Sequence, residues 1–184
     1  MLCETRRLII REWRKGDVAD NFEFASDGTV AKYLTWPPST DIKQSKKYVK
    51  RNRKLYRKYF SKKGIVYGGS FAIELKSEQK VIGVIFISRP YAVNRIAEIS
   101  YAVNQKYWGN GFATEAVKGV LKYIKQNRVA ERIQAHHDTD NGASGTVLKK
   151  AGMKLEGVLR KLSDNNTNKS SNQAIYSILI EEIE

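Results

Sequence analysis

The residues from Trp108 to Ala116, Trp-Gly-Asn-Gly-Phe-Ala-Thr-Glu-Ala, have types and spacing suited to holding an anion. Two glycines at alternate positions, Gly109 and Gly111, tolerate positive φ and let a ligand approach bare backbone. If a helix starts directly after them, the N–H groups of its first turn are unpaired and its positive dipole end faces the same point. Such a turn suits a pyrophosphate. The same composition serves an ordinary strand-to-helix turn, and a lone Gly-x-Gly does not separate the two. A dinucleotide fingerprint needs glycines directly after the strand and a third one at the end. Here Asn104-Gln105-Lys106-Tyr107 intervenes and Thr114 takes the third position, while the Gly-Lys-Ser/Thr of a Walker-type loop is absent.

Other chemistry-bearing residues are sparse. Asn141 and Ser144 lie three apart, so on a helix they share a face; as cap and first-turn residues they are also explained by local hydrogen bonding alone. His136 and His137 are adjacent, which on a strand sends them to opposite faces and denies them a common metal. No third ligand stands at metal spacing, and no metal is expected. The single cysteine, Cys3, excludes an internal disulfide, and its place near a terminus expected to be mobile makes it a bystander.

The elements that must position these residues follow from periodicity and breakers. Strands are expected at Leu8–Trp13, Phe71–Leu75, Val81–Ile87, Ala97–Val103, Arg132–His137, Met153–Leu159 and Ala174–Ile180. Phe71–Leu75 and Val81–Ile87 read as a hairpin. Helices are expected from Asp17, a cap, to Ala25; across a basic stretch from Asp41 to Lys63, after the Pro37-Pro38 break; from the glycine loop to about Asn127, with Val117, Val120, Leu121 and Ile124 on one face; and from Asp140 or Asn141 to Gly152. Residues 163–172 read as a polar, mobile loop. Strands and helices intermix without a linker or repeat, so 184 residues with 41% hydrophobic content suit one α/β domain over 1–184. No apolar run approaches the ~20 residues of a membrane span, and the N-terminus lacks a signal peptide's apolar segment. A cytoplasmic protein, monomeric or homodimeric, is the expectation.

Charge is the second informative feature. Lys and Arg number 33 against 19 Asp and Glu, a formal net charge of +14. Eleven of the basic residues fall between Asp41 and Lys63, where Asp41 is the one acid. Ile42, Val49, Leu55, Tyr56, Tyr59 and Phe60 recur there near helical spacing, which predicts an amphipathic helix with a basic outer face. That face is either a solvated surface or an attraction for a polyanion, ribosomal RNA or an acidic peptide. No zinc-finger spacing, arginine-glycine repeat or aromatic RNA-binding signature accompanies it.

Taken in order, Glu4-Thr-Arg-Arg-Leu-Ile-Ile-Arg-Glu-Trp13, Val81-Ile-Gly-Val84, Ala97-Glu-Ile-Ser-Tyr101, the glycine loop, Asn141-Gly-Ala-Ser144 and Lys150-Ala-Gly-Met-Lys-Leu-Glu-Gly157 resemble the GNAT superfamily of acetyl-CoA-dependent N-acetyltransferases, in particular its ribosomal-protein N-terminal acetyltransferase branch. The resemblance implies a mixed, mostly antiparallel sheet of about seven strands flanked by helices, splayed between the fourth and fifth strands expected above. It implies acetyl-CoA as cosubstrate. The family's Gln/Arg-x-x-Gly-x-Gly/Ala loop maps onto Trp108, Gly109, Asn110, Gly111, Phe112 and Ala113, followed by Thr114, with Trp108 replacing the usual polar residue. Backbone groups of Tyr101, Ala102 and Val103 would serve the pantetheine arm and the oxyanion, so that their side chains are free to vary. Asn141 would hydrogen-bond the pantetheine amide, and Ser144 would meet the departing sulfur.

Acetyl transfer also needs a base for the amine and a proton or hydrogen bond for the thiolate. Many relatives place a tyrosine seven residues after the asparagine; Leu148 stands there, leaving Ser144, or more remotely Tyr176, which reads as core packing. Glu98 is the best-placed carboxylate for the base, directly or through water, although a surface ion pair explains it equally well. The resemblance favours a protein N-terminal amine as acceptor, with ribosomal proteins among the candidates. An aminoglycoside or polyamine is the enzymatic alternative, and a non-enzymatic basic RNA-binding module is the alternative from another class.

Overall fold

The computed structural model of the chain describes residues 1–59, 66–88, 95–164 and 170–184. Eight strands form one sheet: β1 (Cys3–Glu4), β2 (Leu8–Arg11), β3 (Gly69–Leu75), β4 (Lys80–Ile87), β5 (Ile96–Val103), β6 (Arg132–Asp138), β7 (Lys154–Asp164) and β8 (Ser170–Leu179), in the order β1-β2-β3-β4-β5-β6-β8-β7. Every neighbouring pair is antiparallel except β5 and β6. Five helices accompany them: α1 (Val18–Ala25), the single turn α2 (Gly28–Ala31), α3 (Ile42–Tyr59), α4 (Phe112–Gln126) and α5 (Gly142–Lys150).

The sheet separates two apolar layers. On one face Leu8, Ile10, Phe71, Ile73, Ile85, Ala97 and Ile99 pack against Val117, Val120, Leu121 and Ile124 of α4, all four within 1% of full burial, as the helical spacing predicted. The other face carries a smaller cluster of Trp13, Ala72 and Val81 under Phe24 and Ala25 of α1 and Val49 of α3. Alternation along each strand delivers residues to both faces, which is why the central strands read as nearly continuous apolar runs.

Several sequence expectations are revised by tertiary contacts. The sheet has eight strands rather than about seven, because Cys3 and Glu4 pair with Ile10 and Ile9. Cys3 therefore lies in a paired strand and not on a loose terminus, and burial pushes its thiol up to about 12. Asp17 does not cap α1 with its side chain; both carboxylate oxygens are held by the Arg11 guanidinium at 2.8 and 2.9 Å. The basic helix ends its described course at Tyr59, so Phe60 to Lys63 fall outside the described residues. Ile42, expected toward the core, is 47% exposed. The terminal hairpin is longer than its apolar pattern suggested: β7 reaches Asp164 and β8 starts at Ser170, taking in both ends of the expected polar loop, while 165–169 are not described. Backbone pairing does not require apolar side chains, so polar strand ends escape a reading based on periodicity.

Arg11 lies 3% exposed between Asp17 and Glu74, themselves 6% exposed, and donates Nε to Glu74 while Nη1 and Nη2 grip Asp17. The cluster joins β2 and β3 to the start of α1. Arg11→Met would leave two buried carboxylates without their shared cation, so a loss of about 3–5 kcal/mol of unfolding free energy is expected. Urea denaturation, read as a lower midpoint at unchanged slope, checks this. A loss below ~1 kcal/mol would mean that water reaches the carboxylates.

Candidate active site

The site begins where the one parallel pair ends. β5 and β6 are bonded only through Ile96↔Arg132, Ala97↔Ile133 and Glu98↔Gln134. Beyond that, β5 stays with β4 as far as Val103, and β6 stays with β8 as far as Asp138, so the two strands part. In an antiparallel ladder, alternate residues direct both backbone groups to the same neighbour. Glu98 O accepts from Ser88 N and Asn104 N donates to Ile82 O, so even-numbered β5 residues serve β4. The backbone groups of Tyr101 and Val103 consequently face the opening, whereas those of Ala102 belong to β4, contrary to the expectation that all three are available. Gly83 permits this close ladder: a Cβ there would come within 2.4 Å of the Ala102 carbonyl oxygen.

After β5 the chain makes a short 3-10 turn, Gln105–Tyr107, and enters the glycine loop. Gly109 and Gly111 adopt φ of +78° and +76°, and Gly111 is the N-cap of α4 with no side chain over the helix end. The amides of Phe112, Ala113 and Thr114 begin the helix, where intrahelical partners are lacking. Loop side chains are used inward. Asn110 donates to the carbonyls of Tyr107 and Trp108, and the Trp108 indole donates to Val103 O at 2.7 Å. Trp108 thus occupies one of the β5 carbonyls expected to be open, while its ring remains 49% exposed.

Two anchors hold the loop. Glu115, in the first turn of α4, accepts from Thr5 Oγ1, the Arg7 amide and Arg7 Nε, each at 2.7 Å. Burial raises its pKa, but these three hydrogen bonds outweigh it and leave the carboxyl below its ordinary value. Arg7 also donates to Asn110 O at 3.0 Å and lies 4.4 Å over the Phe112 ring. On the other side, Glu23 of α1 binds Lys106, Lys80 and Asn104; hydrogen bonds from Lys106 and then Lys80 hold its carboxyl down at about 2. Thr5, Arg7 and Glu23 went unrecognised in the sequence as site residues because their partners are distant along the chain, by 108 residues for Arg7 and Glu115.

A groove of about 1860 Å³ runs from the parted strands between α4 and α5. It brings together Tyr101, Ala102, Val103, Trp108, Gly109, Gly111, Phe112, Ala113, Thr114, Asn141 and Ser144. Lys118 and Lys122 from α4 and Lys149 and Lys150 from α5 also line it, together with Asp140, Glu184 and three carboxylates already in ion pairs, Glu4 with Lys76, Glu115 with Arg7 and Glu182 with Lys154. Asn141 caps α5, accepting from Ser144 N at 3.3 Å. The Tyr101 side chain is more than a spacer: its hydroxyl lies 2.9 Å from Ser144 Oγ and 3.0 Å from Ser144 O. Burial pushes the phenol up to about 12, against a smaller lowering from the Ser144 hydrogen bond. Leu148 is fully buried, as is Tyr176 to within 3%.

Glu98 stands apart from this cluster. Ala97, Ile99 and Val103 face the α4 layer, so Glu98 emerges on the opposite face, at the vertex of the opening. Its carboxylate lies 3.3 Å from His136 Nδ1 and 3.4 Å from Gln134 Nε2. His137 points the other way, with Nδ1 2.7 Å from Asp138 O and its ring beside Tyr176. Among the described residues no group of His, Cys, Asp and Glu is arranged to hold a metal, and no helix is long and apolar enough to cross a membrane.

Comparison with known proteins agrees with this architecture. The acetyltransferase (GNAT) domain model matches residues 7–154. The chain is 33% identical to the uncharacterized N-acetyltransferase YoaA of Bacillus subtilis over 97% of its own length and 96% of the relative's. A GNAT-family acetyltransferase structure from Bacillus anthracis superposes with a TM-score of 0.83 at 27% identity, covering 97% of this chain and 98% of that one. The ribosomal L7/L12 α-N-protein acetyltransferase RimL, solved in complex with coenzyme A, shares the fold with a TM-score of 0.81 at 18% identity, covering 97% of both chains. A parallel strand pair that parts above a glycine-opened helix thus sits in a sequence matched by the GNAT model over most of its length, and the chain belongs to the GNAT acetyltransferase family.

Proposed function

We propose that the groove holds acetyl-CoA and that the chain transfers the acetyl group directly to a primary amine, with a protein N-terminal α-amine as the preferred acceptor. The observation that carries this reading is the convergence of two features on one groove: the parted edge of β5 and an uncapped helix terminus opened by Gly109 and Gly111. The residues present suit the cosubstrate. A Cβ at Gly109 would meet nothing within 4 Å, so the approach to the amides at the helix terminus is open to an anion. The volume exceeds the ~300–1,000 Å³ of drug-sized pockets, as a long ligand requires.

When bound, acetyl-CoA supplies an activated thioester and a thiol leaving group. The backbone groups of Tyr101 and the Val103 amide then face the pantetheine arm and the developing oxyanion, where fixed dipoles act without reorganising. Ser144 faces the sulfur from the first turn of α5. The cosubstrate fills the side of the opening between α4 and α5, so the amine approaches from the opposite face, where Glu98 and His136 stand. Glu98 accepts the amine's proton, directly or through water.

The preference for a protein N-terminus is supported by α3, and by RimL, whose acceptor is a ribosomal protein. The helix exposes Lys43, Lys46, Lys47, Lys50, Arg51 and Lys54, and Lys43 lies 3.9 Å from Asp41. Its opposite side is fixed by Val49 and by the edge-on contact of Tyr48 with Trp13, ring centres 5.4 Å apart. A rigidly seated cationic surface favours an acidic polypeptide or a ribosomal surface over a polycationic small molecule.

Calorimetry should show coenzyme A binding to the wild type, and Gly111→Val should weaken it at least tenfold, because φ of +76° strains a β-branched residue and the loop must move. A folded wild type that ignores coenzyme A would remove the reading. The acceptor is tested separately by kcat/KM for an acidic N-terminal peptide, a neutral peptide and an aminoglycoside, at low and high salt. The acidic peptide should lose severalfold as salt shortens the reach of charge to ~10 Å at 0.1 M, and Lys47→Gln with Lys50→Gln and Lys54→Gln should abolish that dependence. An equal salt response for all three substrates demotes α3 to a solvated face; rapid turnover of the aminoglycoside alone replaces the acceptor class.

A further inference from the structure

We propose that Tyr101 is a positioning residue for acetyl transfer: its hydroxyl directs the Ser144 hydroxyl so that the serine proton faces the departing sulfur. The inference rests on the groove being the acetyl-CoA site and adds a side chain that neither the glycine loop nor the helix cap accounts for. Tyr101 comes from the parted edge of β5 and Ser144 from the first turn of α5, so their contact spans the opening itself.

The hydrogen-bond inventory decides what the contact does. A serine hydroxyl has one proton to donate and two lone pairs to accept with, and the phenol likewise has a single proton and an accepting oxygen. Tyr101 Oη has two partners on the same residue, Ser144 Oγ at 2.9 Å and Ser144 O at 3.0 Å. Either of two arrangements is possible. If Tyr101 donates to the Ser144 carbonyl, Ser144 can spend its proton on the phenol oxygen, and nothing remains for a ligand. If Tyr101 donates to Ser144 Oγ, the serine proton cannot be spent on the phenol and is left free to turn into the groove. The second arrangement is the productive one. A sulfur bearing the electron pair of the breaking bond draws the Ser144 proton toward itself, and the hydroxyl pair reorganises by a rotation of one O–H.

The proton balance fits a donor that keeps its proton. As the N–C bond forms, the C–S bond breaks and its electron pair stays on sulfur. Ser144 donates a hydrogen bond to that sulfur, Tyr101 donates to Ser144, and neither changes protonation. The proton lost by the amine passes to Glu98, directly or through water, and the thiolate takes up a proton from solvent once it has left. A phenol pushed up to about 12 stays neutral at any working pH and is a poor source of a transferred proton for a thiolate of ordinary basicity, ~8.5, but a permanent hydrogen-bond donor. Leu148, buried in the core one turn further along α5, cannot supply one. A hydrogen bond made chiefly to charge that develops as the bond breaks acts on kcat and not on cosubstrate binding.

Tyr101→Phe, Ser144→Ala and the double variant test this through kcat, the acetyl-CoA KM and thermal melting. Each single variant should lower kcat about 10- to 100-fold with KM changed less than about threefold, and the double variant should be no worse than Ser144→Ala, since Tyr101 acts through Ser144. Phenylalanine keeps the ring, so the melting temperature reports any loss of the strand-to-helix tether. Three results overturn the proposal: Tyr101→Phe with wild-type kcat; a Tyr101→Phe defect confined to KM and melting temperature, which is a tether alone; or losses that multiply in the double variant, which makes the residues independent. Calorimetry with coenzyme A on the wild type separates these from failure of the groove assignment, because a protein that binds coenzyme A and acetylates an amine can still contradict the role of Tyr101.

Discussion

The brevity of the β5–β6 ladder governs this molecule. Three bonded residue pairs are enough to align the strands in parallel, and the divergence that follows opens the sheet without exposing a raw core edge. Each strand keeps its other neighbour, β4 or β8, so the backbone groups facing the gap are the ones left without a strand partner. Unpaired backbone inside a fold is costly unless something accepts it. Here the Trp108 indole takes the Val103 carbonyl, and the remaining groups of Tyr101 and Val103 border the groove. The site is the place where the sheet's own hydrogen bonding stops.

An opening of this kind is useful only if its rim is rigid. The rim on the α4 side is held by carboxylates from two directions, Glu115 receiving Thr5 and Arg7 from the β1–β2 turn, and Glu23 on α1 receiving Asn104 and Lys106 from the turn after β5 and Lys80 from β4. Both carboxyls titrate below their ordinary value, so both clamps are complete at neutral pH and lose their contribution as the pH falls through the folded values. Glycine gives the loop its shape, and these charged contacts fix where that shape points. The division of labour explains why an exposed loop containing two left-handed glycines can act as a preorganised anion site.

The two faces of the sheet have separate duties. The larger apolar layer under α4 carries the groove and the Tyr101–Ser144 contact, while Glu98 and His136 emerge on the other face, where the proposed acceptor would enter. Strand alternation makes this separation automatic, because Glu98 and Tyr101 are an odd number of residues apart. The basic helix α3 lies on the second face, its Val49 and Tyr48 packed over Trp13, Ala72 and Val81, the side from which the proposed acceptor would approach.

Much of this was written in local sequence. The glycine loop, the helix after it with Val117, Val120, Leu121 and Ile124 inward, the hairpin of β3 and β4, and the cap at Asn141 depend on contacts a few residues apart, and pattern and propensity report such contacts directly. The order of motifs carried the family as well. Other features were decided only when distant segments met: β1 pairing with β2, Asp17 turning from its helix end to Arg11, Ile42 facing solvent, and the polar ends of β7 and β8 zipping by backbone alone. The same holds for Tyr101. From the sequence it offered only backbone to the opening, since nothing within its own strand predicts Ser144 as its partner; the two, 43 positions apart, are brought together by the crossover through α4 that also makes β5 and β6 parallel. Side-chain identity sets what each residue can donate or accept, and the tertiary structure chooses the partner, because a hydrogen bond depends on a separation of about 3 Å that no local periodicity encodes.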